Sequence, residues 1–302
     1  LKLMEYNKPP VSISDQISKL KRRGLHIADE ALAKRYLSNI SYYRLRAYTY
    51  PYQDNADANH PFVEKVSFED ILDLYTFDRK LRLLVFDAVE KIEIALRTQI
   101  IYQWSMKYGS HWHLDQNLYK DRTKFIKHLA SLQKEILRSN ETFIKHYGEK
   151  YSTPTDPPCW MSLEVTSMGL LSLIFQNLKS CPEKKAVTHH FGLFGNNVLE
   201  NWMHNFCNIR NICAHHGRLW NRRISIPISI PRRTKADFIA NDKVYPYKLY
   251  ASLCAMVYVI GRIAPESAFK INLLELLKSC PKKQFKEMGF PEDWKQEKFW
   301  QL

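Results

Sequence analysis

The sequence has few residues that interrupt helices and few patterns that are typical of strands. Only 9 glycines and 14 prolines occur among its 302 residues. Strict alternation of apolar and polar residues is confined to residues 224–230, where a proline argues against a central strand. Elsewhere the apolar residues recur at intervals of three and four, which indicates helices. We therefore predict an all-α protein.

Several features of other protein classes are also missing. No apolar run approaches the ~20 residues that a membrane span needs, and the N-terminus lacks the basic-then-apolar layout of a signal peptide. The 6 cysteines include no C-x-x-C pair, and there is no glycine-rich phosphate loop. Free thiols in a reducing compartment explain the cysteines better than disulfides do. We expect a soluble, cytoplasmic protein without a membrane partner, a metal or a cofactor.

Acidic residues are too few to balance the basic ones. Asp and Glu number 31 against 45 Lys and Arg, so the net charge is +14 and the isoelectric point is near 9.4. This excess favours an anionic partner, with nucleic acid as the first candidate and a membrane surface as the second. A solubility role for the lysines is the simpler alternative, and charge alone does not separate the three.

A polar connection at residues 53–61 divides the sequence. Residues 1–60 are predicted to form a small helical unit, and residues 61–302 are predicted to form a helical domain with further helices at its C-terminal end. Arg44 and Arg46 of the small unit, which lie among tyrosines, are candidate RNA contacts.

The apolar periodicity also predicts individual helices. The longest covers about residues 68–107, and its length of about 60 Å suggests a kink or break. Gly24 and Gly109 are predicted helix ends, and Asp29 and Ser67 are predicted N-caps. Further helices are predicted at about residues 121–138, 161–178, 183–191, 197–216, 245–262 and 267–279, with an irregular connection over 218–242.

The helix predicted over residues 197–216 contains the most informative segment. Arg210 lies beside its apolar stripe, where a guanidinium needs a partner such as a carboxylate or a bound phosphate. His215 lies at the helix end, where the helix dipole favours the imidazolium form and suits a general acid. Gly217 is the predicted C-terminal stop. The stripe consists of Val198, Leu199, Trp202, Met203, Phe206, Ile209 and Cys213.

Simpler interpretations of this segment exist. His215 and His216 could only finish the helix, and Arg210 could be a structural ion-pair partner, because an Arg-x4-His spacing arises often by chance. A metal site built from these histidines with Cys207 and Cys213 is a third alternative. It is disfavoured because helical spacing scatters those side chains around the axis.

Cationic side chains interleaved with an aromatic one follow the helix: Arg218, Trp220, Arg222 and Arg223. Such a mixture suits a nucleic-acid strand, since the cations pair with phosphates and the ring stacks on bases.

Glu93 has two interpretations. Its i,i+4 spacing to Arg97 predicts an intrahelical ion pair. Alternatively, Glu93 could reach Arg210 across the bundle and hold it in place.

Residues 210–222, which read RNICAHHGRLWNR, resemble the signature of the Abi family, the abortive-infection proteins of the AbiD/AbiF type. Three other blocks are similar to that family in the same order. They comprise residues 42–45, residues 77–82 running on to 90–97, and residues 160–164 continuing to 169–172. The resemblance covers about residues 35–232.

The Abi family is placed in the HEPN superfamily, so the resemblance implies a HEPN-like helical bundle that binds RNA. Its Arg-x4–6-His motif maps onto Arg210 and His215, and the polar residue after the arginine maps onto Asn211. These are the implied catalytic residues; apart from the resemblance, Glu93 and His216 are our candidates for supporting residues.

The implied reaction is metal-independent RNA cleavage in phage defence or as a toxin. HEPN sites are usually built from two facing motifs, so the resemblance also implies a homodimer. A structured noncoding RNA is a further implied partner. The alternative is a protein that holds such an RNA without cutting it.

Overall fold

The computed structural model describes residue 5 and residues 9–240, 244–280 and 282–301. Over these residues it contains α-helices, short 3-10 helices and isolated β-bridges, but no strand. The all-α prediction is therefore confirmed. Within the same residues, no helix combines the length and the apolar character that a membrane-spanning segment needs.

The backbone contacts separate two compact units, residues 1–80 and 81–302. The division lies inside a long helix and not at the polar connection near residue 60, and the predicted assignment of domains stays a prediction. The first unit contains the helices α1 (Ile13–Arg22), α2 (Glu30–Ile40) and α3 (Tyr42–Thr49).

Local signals set the ends of several helices as predicted. Asp29 caps α2 by accepting a hydrogen bond from the amide of Leu32 at 2.9 Å. Gly24 follows α1 with φ of +100°, a conformation that costs glycine little. The next helix, α4 (Phe68–Tyr108), is followed by Gly109 with φ of +84°. It is one unbroken helix of 41 residues, so the predicted break is wrong.

The second unit continues from α4 with nine further helices among the described residues. They are α5 (Arg122–Leu137), α6 (Thr142–Lys150), α7 (Cys159–Ser162), α8 (Met168–Asn177), α9 (Pro182–His190), α10 (Asn196–Ala214), α11 (Leu249–Ile263), α12 (Phe269–Lys278) and α13 (Lys282–Met288).

The core of this unit forms around α10 and α11. Twelve consecutive residues of α11 are buried, as expected for a helix that is apolar all round. On α10 the predicted stripe is buried from Leu199 to Cys213, and this helix packs against α8, α9 and α11. One face of α10, which includes Asn197, His204 and Asn211, stays exposed.

A buried lysine ties α8, α9 and α10 together. Lys184 has no exposed surface, and its Nζ donates to the carbonyls of Phe175 at 2.6 Å and Leu178 at 2.8 Å. The same Nζ lies 2.6 Å from a carboxylate oxygen of Glu200 on α10. Burial lowers the pKa of Lys184 to about 8 despite this carboxylate. Lys184 thus satisfies the last carbonyls of α8, which lack partners within the helix.

We expect Lys184→Met to destabilise the protein by about 3 kcal/mol or more, because it leaves the carbonyls and the carboxylate without their shared donor. The matched control is Lys185→Met, since Lys185 is exposed and should change stability by no more than ~0.5 kcal/mol. Urea denaturation of both variants measures the difference. Equal midpoints would contradict the role assigned to Lys184.

Candidate functional site

The C-terminal end of α10 reverses the chain in a compact hydrogen-bonded turn. His215 is the C-cap, and its amide bonds the carbonyl of Asn211 at 3.0 Å. The amide of His216 bonds the carbonyl of Cys213 at 3.0 Å, and that of Gly217 bonds the carbonyl of Ile212 at 2.8 Å. These two bonds define a Schellman motif. It turns the chain back immediately after His215 and leaves that side chain exposed.

The left-handed residue of this turn is His216, with φ of +56°. Gly217, the predicted C-terminal stop, is the next residue of the same turn. An added Cβ at Gly217 would be tightly placed, 3.2 Å from Nη1 of Arg222 and 3.3 Å from the carbonyl oxygen of Ile212. The missing side chain lets the guanidinium of Arg222 fold back over the helix end.

Arg210 is half-buried, one turn before the helix end. Its Nη1 lies 3.4 Å from Oδ1 of Asn211, and its Cζ lies 5.8 Å from the centroid of the Phe86 ring on α4. In the part of the chain that the structure describes, no carboxylate forms an ion pair with Arg210. The guanidinium is therefore supported by a ring and an amide, and its charge stays available to an anion.

A buried thiol lies beneath these residues. Cys207 is buried, and Nδ2 of Asn211 lies 3.9 Å from its Sγ. Burial raises the pKa of Cys207, the positive charge of Arg210 lowers it, and the negative charge of Glu93 raises it. Arg210 on α10 and Glu93 on α4 thus act on this thiol with opposite charges.

Glu93 forms the predicted intrahelical ion pair. Its carboxylate lies 2.9 Å from the guanidinium of Arg97, which also donates to the carbonyl of Thr166 at 2.8 Å. Across the described residues no ion pair joins Glu93 to Arg210. Glu93 thus reaches the neighbourhood of the motif, where its contribution is a negative field and not a direct bond.

The basic segment after α10 is only partly exposed. Arg222 and Arg223 are exposed and Arg218 is half-buried, but Trp220 has no exposed surface. The predicted stacking role of Trp220 is therefore wrong, because its ring fills the core. Arg223 instead lies over an exposed ring, with its Cζ 4.2 Å from the centroid of Tyr247.

Sequence reasoning missed Tyr247 and its neighbour Tyr245, which are 40% and 66% exposed. They flank Pro246 at the start of the segment that leads into α11. Their main chain is paired with the basic segment, since the amide of Ile224 bonds the carbonyl of Tyr247 at 2.9 Å. The Tyr-Pro-Tyr sequence was the available signal, because apolar rings beside a proline rarely belong to a helix interior.

The remaining candidates are placed as follows. Arg44, in the first compact unit, is exposed, while Arg46 is half-buried with its Nη2 3.4 Å from Nε2 of His60. The alternative metal site finds no support, because no three His, Cys, Asp or Glu residues of the described ranges lie together as metal ligands would.

The fold and the site thus define a helical protein with an Arg-Asn-x3-His sequence at the exposed end of a core helix. The family model described as Abi-like protein matches residues 35–221. The chain belongs to this family, and so to the abortive-infection proteins that act in phage defence. No curated protein and no solved structure matches the chain.

The left-handed backbone of His216 gives a test of the turn. We expect His216→Gly to stabilise the protein by about 1 kcal/mol, because glycine adopts this conformation without the cost that a Cβ brings. Gly217→Ala should destabilise it, since its Cβ would crowd Ile212 and Arg222. Thermal unfolding of both variants measures this pair of opposite changes. A less stable His216→Gly variant would contradict the assignment of the turn.

Proposed function

We propose that this Abi-like protein binds RNA and cleaves it by a metal-independent reaction during phage defence. One observation carries the proposal: Arg210, Asn211 and His215 share the accessible end of α10, with the exposed Arg222 and Arg223 beside them. The net charge of +14 supports an anionic substrate. The free state of all the cysteines is in keeping with a reducing cytoplasm, where we place the reaction.

The proposed chemistry follows from the groups present. The 2′-hydroxyl of a ribose attacks the adjacent phosphorus, so an O2′–P bond forms while the P–O5′ bond breaks. One imidazole accepts the proton of the 2′-hydroxyl and another protonates the leaving O5′. The products are a 2′,3′-cyclic phosphate and a 5′-hydroxyl. Arg210 stabilises the charge on the phosphoryl oxygens, and Asn211 orients the guanidinium through their contact.

This reaction requires two proton-transfer groups, and each chain supplies one histidine of the motif. We therefore propose a homodimer in which His215 from each copy faces a shared cleft near the two-fold axis. Glu93 and His216 are proposed to support the site, Glu93 through its charge and His216 through the turn that presents His215.

A non-catalytic function is the second candidate. The stacked pair of Arg223 and Tyr247, with Tyr245 exposed nearby, suits a bound strand whether or not that strand is cut. In this alternative the protein holds a structured noncoding RNA, and Arg218, Arg44 and Arg46 contribute further contacts. Bound RNA could also restrain a catalytic protein until infection, so the two functions are compatible.

We expect His215→Ala to lower the rate of RNA cleavage by at least about 100-fold in the presence of EDTA, because it removes the proton-transfer group. Arg210→Ala should lower the rate by a similar factor, since it removes the charge that stabilises the transition state. The assay follows a labelled RNA on a gel and identifies the cyclic phosphate end by mass spectrometry.

His146→Ala and Arg122→Ala are the matched controls, because both residues are exposed on α6 and α5. Neither should change the rate. Equal rates of cleavage by the wild type and by both motif variants would contradict the catalytic proposal. RNA binding without cleavage by the wild type would establish the non-catalytic alternative.

The dimer gives a separate prediction. Specific activity should rise with protein concentration over the range in which sedimentation shows monomers converting into dimers, because each site needs two histidines. A protein that sediments as a monomer while cleaving at full specific activity would contradict the shared cleft.

A further inference from the structure

The segment that follows the motif is fastened to α10 by side chains of that helix. The amide of Asn201 donates to the carbonyl of Pro227 at 3.0 Å and accepts from the main-chain amide of Ser229 at 2.6 Å. The indole of Trp202 donates to the carbonyl of Ser229 at 2.8 Å. A side-chain amide thus pairs with this backbone as a neighbouring strand would, and it fixes the segment beside the first half of α10.

The same segment is anchored again a few residues later. Thr234 forms an isolated bridge with Leu193, and the amide of Lys235 bonds the carbonyl of Gly192 at 2.9 Å. The hydroxyl of Tyr258 donates to that carbonyl at 2.7 Å and occupies the place of a Cβ on Gly192, whose φ is +76°. Residues 230–233 are therefore held between two anchors, across the N-terminal end of α10.

A groove of about 660 Å³ lies between these residues and the start of α10. Arg232 and Arg233 are exposed along it, and Cζ of Arg233 lies 4.9 Å from the centroid of the Phe194 ring, which is 43% exposed. Across residues 9–240 and the later described ranges, no carboxylate pairs with either guanidinium. The first turn of α10 carries no acidic side chain that would offset this positive charge.

This chemistry fits a single nucleic-acid strand. Two unpaired guanidinium groups bind phosphates through forked hydrogen bonds. A ring that is half exposed and covered on one side by an arginine offers its remaining area to a base. An acidic peptide would use the two charges but not the ring.

The exposed face of α10 connects this groove with the motif. Asn197, His204, Asn211 and His215 are exposed and follow one another at intervals of seven, seven and four, which places them in one line. The line covers about five turns and about 27 Å. The amides of Asn197 and Asn211 and the imidazoles of His204 and His215 can form hydrogen bonds with bases and riboses.

We propose that the groove formed by Phe194, Arg232 and Arg233 is a second RNA-contacting site, which holds the end of a single strand that continues along α10 to His215. The proposal rests on the proposed RNA function and extends it beyond residues 35–221, the part that the family model matches. It assigns the substrate class as single-stranded RNA long enough to reach both ends of α10.

The test measures binding of a fluorescent 2′-O-methyl single strand, which lacks the free 2′-hydroxyl needed for cleavage, at several salt concentrations. The double variant Arg232→Ala with Arg233→Ala should bind more weakly, with a salt slope smaller by about 1.4, because two phosphate contacts are lost. Phe194→Leu should weaken binding at least about fivefold, since one stacked base is lost.

The matched controls remove the same kinds of side chain, two cations or one aromatic ring, from positions outside the groove. Arg122→Ala with Lys127→Ala removes two exposed cations from α5, and Tyr102→Leu removes an exposed ring from α4. Both controls should bind as the wild type does. If the groove variants bind the strand with the same salt slope and the same affinity as the wild type, the proposal is wrong. Displacement of the strand by polyglutamate of equal charge, or a changed sedimentation coefficient with unchanged RNA binding, would also overturn it.

The two proposals fail in different ways. If the wild type cleaves RNA while the groove variants bind and cleave as well as it does, only the groove is wrong. If the wild type binds no RNA, both proposals fail. If the groove variants lose affinity as expected but the wild type cuts nothing, the groove stands and the catalytic function does not.

Discussion

The turn that ends α10 is the constraint on which the site depends. Bonds from the amides of His216 and Gly217 to the last carbonyls of the helix stop it at Ala214, so His215 is exposed while Cys213 stays buried. The reversal also returns Arg222 to the helix end. One more helical turn would carry these cations away from Arg210. The basic segment is thus adjacent to the motif because of how the helix terminates.

Much of the fold could be predicted from the sequence because it is encoded locally. The stripe from Leu199 to Cys213 repeats at three and four, and the observed α10 differs from the predicted helix by one or two residues at each end. The region predicted as one helix over residues 161–178 is instead divided into α7 and α8. Ser167 caps α8 while bonding Glu135 of α5, and a contact between residues so distant in sequence leaves no periodic signal.

The candidate site shows more clearly that contacts between distant residues cannot be predicted from local sequence patterns. Arg210, Asn211 and His215 were found because a motif is local. Trp220 was assigned to the surface because arginines surround it in sequence, yet packing places its ring in the core. No sequence pattern marks the residues around Arg232, because their position depends on bonds from Asn201 and Trp202, which lie far earlier in the sequence. Such side-chain-to-backbone pairing specifies a position in space without a pattern in sequence.

The exposed residues of α10 lie in one line only if the helix has the right number of residues between Asn197 and His215. Each residue turns a helix by about 100°, so inserting or deleting one residue between Asn197 and His215 would rotate one end relative to the other by more than a quarter-turn. The anchors at Ser229 and the turn at His216 would then no longer face their partners together. Among related chains, changes in the length of this helix should therefore come in steps of about seven residues, which is close to two whole turns.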